Sequence, residues 1–225
     1  MESPRDGAPM RRLGGAILDF GGVMTEPVFR LAEGIDPTLA GRVVFFLREA
    51  NAVYADTETE HDIHRLETGR MSDVDFFTRL CDRYAAAGNP RLDPQTARHA
   101  VIGRGITASA AMVDAVRHLR RAGVSTALLT NNAREWAPAW RPVLPLDELF
   151  DVVVDSSEVG LRKPDPAIYL LTCRRLDLSP EDCLFVDDLE CNVEAAAALG
   201  METILCGDPM RAAATLIERI SHHAA

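Results

Sequence analysis

The stretch GGAILDFGGVMTEP, residues 14–27, decides how this chain is read. A short apolar run, Ala16-Ile17-Leu18, stops at the carboxylate of Asp19, and Gly21 and Gly22 follow almost at once. A brief apolar run bounded by turn residues fits a strand covered on both faces. Glycines directly after it let the backbone turn sharply and bring its carbonyl and N–H groups close to a ligand. Such a strand delivers one charge to a sheet edge and clears the space around it.

The pattern recurs. Strand-like runs lie at Gly15–Asp19, Ser125–Thr130, Asp151–Asp155, Cys183–Asp187 and Thr203–Cys206. Helical patterns alternate with them over Ala110–Ala122, Pro166–Leu176, Glu190–Leu199 and Arg211–His222. Repeated alternation of this kind predicts an α/β fold, a doubly wound parallel sheet. The stretch 27–105 breaks the rhythm with four helical segments, TLAGRVVFFLREANAVY, ETEHDIHRLETG, SDVDFFTRLCDRYAAA and DPQTARHAVIG, and no convincing strand. Ser72, with Asp75 three residues on, reads as a capping box for the third of these. The expected organisation is a flexible leader over 1–12, an α/β core over 13–26 and 106–225, and a helical insertion over 27–105.

Bulk properties narrow the function. With 225 residues, 47% hydrophobic and 26% charged, the chain is long and apolar enough to bury a full core. Its net charge of -10 excludes easy association with nucleic acid or an anionic membrane, since phosphates would be repelled. No apolar run approaches spanning length. The opening MESPRDGAPMRRLGG lacks an apolar signal core, and Asp19 interrupts the apolar stretch behind Arg11-Arg12. Five cysteines without C-x-x-C spacing predict reduced thiols and a cytoplasmic location. Lys163 is the only lysine among 24 basic residues, so it marks a place where a compact ammonium is needed and a planar guanidinium is not.

Three polar clusters end predicted strands: Asp19 after AIL, Thr130-Asn131-Asn132 after TALL, and Asp187-Asp188 after CLFV. In an open parallel sheet these ends face one crevice. Lys163, in VGLRKPDPAIY, precedes a helix that starts on proline and leans toward the same edge. Each feature has an ordinary reading as turn former, loop, helix start or solvated cap; their joint order is the signal. The set suits phosphoryl transfer through an aspartyl intermediate, because a carboxylate can attack phosphorus and split hydrolysis into two steps. Its negative charge then calls for a divalent cation, and Asp19, Asp187 and Asp188 are hard oxygen ligands of the kind Mg²⁺ takes. Thr130, backbone N–H groups and Lys163 are placed to hold the equatorial oxygens as charge spreads.

The order LDFGGVMT, LLTN, GLRKPDPAIY, FVDDLECN resembles the haloacid dehalogenase-like (HAD) hydrolase superfamily, nearest to the subgroup containing the phosphatase-like N-terminal domain of soluble epoxide hydrolase. The similarity runs from Leu13 to Cys206 and includes HRLETGRMSDVDFF and AAAALGMETILC. It implies a Rossmann-like core with a helical C1-type cap inserted after the first strand. It implies Asp19 as nucleophile and metal ligand, the Gly21 backbone carbonyl as a further ligand, and Asp187 and Asp188 holding Mg²⁺. Gly22, Thr130 and Asn131 are then the phosphate contacts, with Lys163 steadying nucleophile and phosphate, and Asn192 closing the fourth motif. The implied partner is a small phosphate ester, and aromatics at Phe45, Phe46 or Tyr54 would rank substrates from the cap.

One departure stands out. Family phosphatases carry a second Asp two residues after the nucleophile, which protonates the leaving oxygen; this chain has Gly21 there. Glu26, Asp62 and His64 are the candidate replacements, and a leaving group that needs little protonation is the alternative. His61 and His64, at i and i+3, offer two metal-type ligands, too few for a site. Two further readings stand beside the phosphatase: a catalytically silent phospho-ligand binder, supported by Gly21, and a 2-haloacid dehalogenase, which attacks carbon without Mg²⁺ and is disfavoured by the Asp187-Asp188 pair. A receiver domain places its acidic pair after the first strand, and a dinucleotide fold needs a G-x-G-x-x-G there; neither fits.

Overall fold

The computed structural model describes residues 13–26, 53–54, 56, 58–102 and 105–222. The expected leader over 1–12 and most of the first helical segment, Phe45 and Phe46 included, lie outside them.

Five strands form one fully parallel sheet in the order β3-β2-β1-β4-β5. They are β1 (Gly15–Leu18), β2 (Ser125–Thr130), β3 (Val152–Asp155), β4 (Cys183–Asp187) and β5 (Glu202–Leu205). The first strand is central because it is apolar on both faces. Ala16 and Leu18 join one core with Leu128, Leu184 and Val186, while Ile17 joins the other with Ala127, Leu129, Cys183 and Phe185. The strand alternation of side chains thus divides a continuous apolar run between two hydrophobic layers.

The described helices before β2 are α1 (Asp62–Glu67), α2 (Asp73–Ala86), α3 (Pro94–Ile102) and α4 (Ala110–Arg121). After β3 come α5 (Ser156–Val159), α6 (Pro166–Leu176), α7 (Glu190–Ala198) and α8 (Pro209–His222). Side chains of α4 and α8 cover the first core and those of α6 and α7 the second, so helices flank both faces. Local signals set their ends. Ser72 accepts from the N–H of Asp75 at 3.1 Å, as the sequence predicts for α2. The last helix begins two residues before the expected Arg211, because Asp208 caps the Arg211 N–H at 3.0 Å and Pro209 suits a first turn. Short helical turns at Ala137–Trp140 and Leu146–Leu149 were not legible, since prolines 138, 142 and 145 erase the periodicity there.

Helices α1–α3 lie between β1 and α4 in the chain, and no strand occurs among the described residues of that insertion. Their own small core, around Leu66, Phe77 and Leu80, extends onto Ala133 and Trp136 of the segment after β2. Asp73, fully buried, accepts from Arg98 at 2.6 Å and from the Trp136 indole at 3.1 Å. Gly69, with φ +69°, sits so close to α5 that a Cβ there would fall 2.6 Å from the Ser157 carbonyl. The insertion is therefore packed against the sheet's C-terminal edge by apolar, polar and backbone contacts together.

Candidate active site

Leu18 pairs with Val186, so the next residue on each strand, Asp19 and Asp187, stands level at the C-terminal edge. The Asp19 N–H donates to the Val186 carbonyl at 2.9 Å, which fixes the residue as the strand ends. The backbone then makes one wide helical turn over Phe20–Met24, broken at Gly21 and Gly22. Gly22 carries the left-handed conformation, φ +71°, and a Cβ there would lie 2.4 Å from Asp188 Oδ2. Only glycine fits. Gly21 is different: its φ of -73° and ψ of 126° suit any residue, and its nearest neighbour would be Asp19 Oδ2 at 3.9 Å.

Oxygens of Asp19, Asp187 and Asp188 all lie within 4.8 Å of one another. Among them sits the one lysine. Lys163 Nζ donates to Asp19 Oδ1 at 2.6 Å and to Asp187 Oδ2 at 2.7 Å, with only 1% of its surface exposed. The second oxygen of Asp187 accepts from the Leu189 N–H at 2.9 Å and from Asn192 Nδ2 at 3.0 Å. The Asn192 carbonyl in turn accepts from Tyr169 at 3.1 Å. Three donors thus fix the orientation of Asp187, and its Oδ2, which accepts from Lys163 alone, keeps a lone pair for a ligand.

The electrostatics follow from burial and crowding. Burial raises the Asp19 pKa, the Lys163 ammonium opposes this, and the Asp187 and Asp188 charges add to it, leaving the group at about 7. Burial and the neighbouring Asp187 push Asp188 up to about 6. Burial alone would lower Lys163, but the carboxylates of Asp187 and Asp19 overcome it and hold the ammonium well above its usual range. Three carboxylates against one ammonium leave an excess of negative charge, and every donor is a hard oxygen. That donor set suits a divalent cation.

The other predicted residues find various places. Thr130 is buried at the end of β2, paired in register with Asp155. The Gly22 N–H donates to Thr25 Oγ1 at 3.2 Å. Asn131 turns its side chain to the Lys163 peptide: Oδ1 accepts from Lys163 N and Nδ2 donates to Lys163 O, each at 2.9 Å. Of the candidate replacement acids, Asp62 is engaged by Arg79 and Arg83 of α2 at 3.3 and 2.7 Å. The His61–His64 pair is a helix cap, in which His64 Nδ1 faces the His61 N–H at 3.4 Å. His64 Nε2 meets the Val53 carbonyl at 2.9 Å, and His61 meets Asp56 at 2.7 Å. Glu26 follows Thr25, its N–H donating to the Thr107 carbonyl at 2.9 Å.

Sequence reasoning missed Glu67 and Arg162. Both are buried, and Arg162 Nε donates to Glu67 Oε2 at 2.8 Å. Arg162 also lies over the Tyr54 ring, 4.5 Å from its centre. In a chain whose surface cations are arginines, nothing local marks this one as buried.

Residues 14–200 match the family model of haloacid dehalogenase-like hydrolases. Bifunctional epoxide hydrolase 2 of Sus scrofa is 35% identical over 101 residues, 43% of this chain and 18% of that protein. A phosphatase of Mycobacterium tuberculosis, MT3486, is 37% identical over 92 residues, 40% of this chain and 42% of the relative. The match thus spans less than half the length of either. Among solved structures, the L-2-haloacid dehalogenase RSc1362 superposes with a TM-score of 0.71 at 20% identity, covering 93% of this chain and 99% of that one. A HAD family enzyme of Bacteroides thetaiotaomicron, in complex with magnesium and inorganic phosphate, gives 0.60 at 18% identity over 87% and 96%. These two likenesses speak for the fold alone, whereas the family match covers most of the chain and includes the edge where Asp19, Lys163 and Asp187 meet. The chain belongs to the haloacid dehalogenase-like hydrolases.

Proposed function

We propose that this hydrolase is a Mg²⁺-dependent phosphatase of a small phosphorylated metabolite, with Asp19 as nucleophile and helices α1–α3 as part of a cap over the site. The observation that carries the reading is the cluster of Asp19, Asp187 and Asp188 oxygens within 4.8 Å of one another around a single ammonium. A dehalogenase attacking carbon has no need of such a concentration of carboxylates. The phosphatase relative supports the same choice.

Asp19, Asp187, Asp188 and the Gly21 carbonyl would hold the cation. Bound there, Mg²⁺ neutralises the approach of a phosphate dianion and the charge on its oxygens. An Asp19 carboxylate oxygen forms a bond to phosphorus as the ester P–O bond breaks, and the leaving oxygen departs with the electron pair. Water then cleaves the aspartyl phosphate, returning the carboxylate and releasing inorganic phosphate. Lys163 holds Asp19 in one rotamer and adds positive charge beside the transferring group. The Thr130 hydroxyl and the residue 131 backbone contact the phosphate, since the Asn131 side chain is engaged with the Lys163 peptide.

With glycine at position 21, no carboxyl from the nucleophile loop protonates the leaving oxygen. Esters whose leaving group is a stable anion, acyl or glycosyl phosphates, are therefore the preferred class. Gly21 is also the one feature favouring a second reading, a phospho-ligand binder without turnover. A panel of acyl, glycosyl, aryl and alkyl phosphates, assayed with Mg²⁺ and with EDTA and with Asp19→Asn as blank, separates the two. Metal-dependent turnover absent from the Asp19→Asn protein supports the phosphatase, and phosphate binding without turnover supports the binder.

A further inference from the structure

The residues around Lys163 form a chain of contacts that begins in the helical insertion. The Asn131 amide closes two hydrogen bonds on one residue, 2.9 Å to Lys163 N and 2.9 Å to Lys163 O, so it fixes the lysine backbone on both polar sides. Its orientation is set from the other direction. Nδ2 also faces the Tyr54 hydroxyl at 2.5 Å and Glu67 Oε2 at 3.2 Å, and the carboxylate is an acceptor that the carbonyl end of the amide could not meet. The preceding residue, Arg162, is gripped as well. Its Nε donates to the same Glu67 oxygen at 2.8 Å, and both terminal nitrogens donate to the Tyr54 carbonyl at 3.2 Å.

One oxygen therefore holds two groups, and each of those groups holds Lys163. Glu67 itself is placed by the turn that follows it, where Gly69 presses against the Ser157 carbonyl. A buried ion pair is a poor stabilising device, because desolvating both charges cancels most of their attraction. Its yield here is geometric: the Arg162–Glu67 pair fixes the peptide that aims an ammonium at Asp19 and Asp187.

We propose that Glu67 is a positioning residue for Lys163, acting through Asn131 and Arg162 to set the ammonium between Asp19 and Asp187. The proposal builds on the phosphatase reading, in which Lys163 serves the nucleophile, and it makes the insertion a determinant of the catalytic geometry as well as a cover.

Lys163 is the chain's only lysine, so protein labelled with ¹⁵Nζ-lysine carries a single side-chain ammonium probe. In metal-free wild type this signal is expected to be sharp and slow to exchange with water. Glu67→Gln shifts it and speeds its exchange, while Glu67→Asp restores part of both. Asp73→Asn loosens a separate anchor of the insertion, so it lowers Tm without moving the signal. On any ester that wild type turns over, Glu67→Gln lowers kcat by about 10-fold to 10²-fold, as expected for a small displacement at the reacting centre, with KM little changed. If Glu67→Gln does not fold, Tyr54→Phe, which removes only the hydroxyl on Asn131, is read in the same way. An unmoved ammonium signal in the variant overturns the proposal, as does an equal shift in Asp73→Asn or no slow-exchanging signal in wild type. The spectrum needs no turnover. A wild type inactive on every ester would therefore sink the phosphatase reading while the positioning role is still decided by the signal.

Discussion

The Lys163 ammonium donates to Asp19 Oδ1 across 2.6 Å, joining residues 144 positions apart at the edge of the central strand. The contact is enclosed, with Lys163 1% exposed, so the ammonium is held in place by the two carboxylates and not by solvent. A compact point charge satisfies Asp19 and Asp187 together, where a guanidinium is longer, planar and forked.

Lys163→Arg is therefore expected to fail despite keeping the charge. Removal of one preorganised donor costs about 10²–10³ in kcat, and a displaced fork should reach the same range. Lys163→Met leaves the buried carboxylates without their partner, which costs about 3–5 kcal/mol at neutral pH and less in acid, where they protonate. Steady-state kinetics and urea titration of both variants check this; near-normal kcat for Lys163→Arg contradicts it.

Asp19→Asn should cost about 10⁴-fold or more in kcat, since an amide neither attacks phosphorus nor serves as a good metal ligand. The same substitution should raise the Tm of the metal-free protein, because it removes one of three crowded, buried carboxylates. Activity loss together with a Tm gain is the expected signature. Loss of activity with a fallen Tm would mean that the Asp19–Lys163 contact stabilises the fold more than the crowding strains it.

Gly21→Asp tests the missing acid. The backbone accepts the substitution, since φ is -73° and a Cβ meets nothing closer than Asp19 Oδ2 at 3.9 Å. A correctly aimed general acid contributes about 10²–10⁴-fold. The gain in kcat/KM should appear with alkyl phosphates and be small with aryl and acyl phosphates, whose leaving groups depart as anions. Gly22→Ala, by contrast, should abolish activity, because its Cβ falls 2.4 Å from Asp188 Oδ2 at a positive φ. A folded Gly21→Asp protein without alkyl-selective gain would count against the missing-acid account.

Stability in EDTA should fall as pH rises. The folded-state pKa of Asp19 is raised to about 7 and that of Asp188 to about 6, both from an ordinary 3.8. Groups raised in this way add stability below about pH 4 that is lost as pH climbs through about 6 to 7. A divalent cation replaces the lost protons, so Mg²⁺ should stabilise more at pH 8 than at pH 5. Thermal melts at both values, with Mg²⁺ and with EDTA, give the comparison, and Asp19→Asn should flatten the EDTA slope. A metal-free protein equally stable at both pH values would contradict the assignment.

Much of this site was legible because a parallel sheet imposes one rule on distant segments. Apolar runs ending at Asp19, Thr130 and Asp187 must all deliver their last residue to the same edge, whatever the length of chain between them. The alternating β-α pattern needed only local propensity and periodicity. The His61–His64 spacing, by contrast, fits a metal pair and a helix cap equally well, and the local backbone decided for the cap.

By itself, then, the sequence determined the alternating α/β order, the acids Asp19 and Asp187 at the ends of their strands, and the single lysine just before a helix that starts on proline. Each of these rests on short-range patterning that survives any detail of packing. Tertiary structure alone decided which glycine is indispensable, since a Cβ at Gly22 would fall 2.4 Å from Asp188 Oδ2 and one at Gly21 would come no nearer than 3.9 Å to Asp19 Oδ2. It alone paired Glu67 with Arg162 and turned Asn131 toward the Lys163 peptide, contacts between residues 95 and 32 positions apart. No period or spacing encodes such pairs. The first depends on how the turn at Gly69, just after Glu67, seats against Ser157.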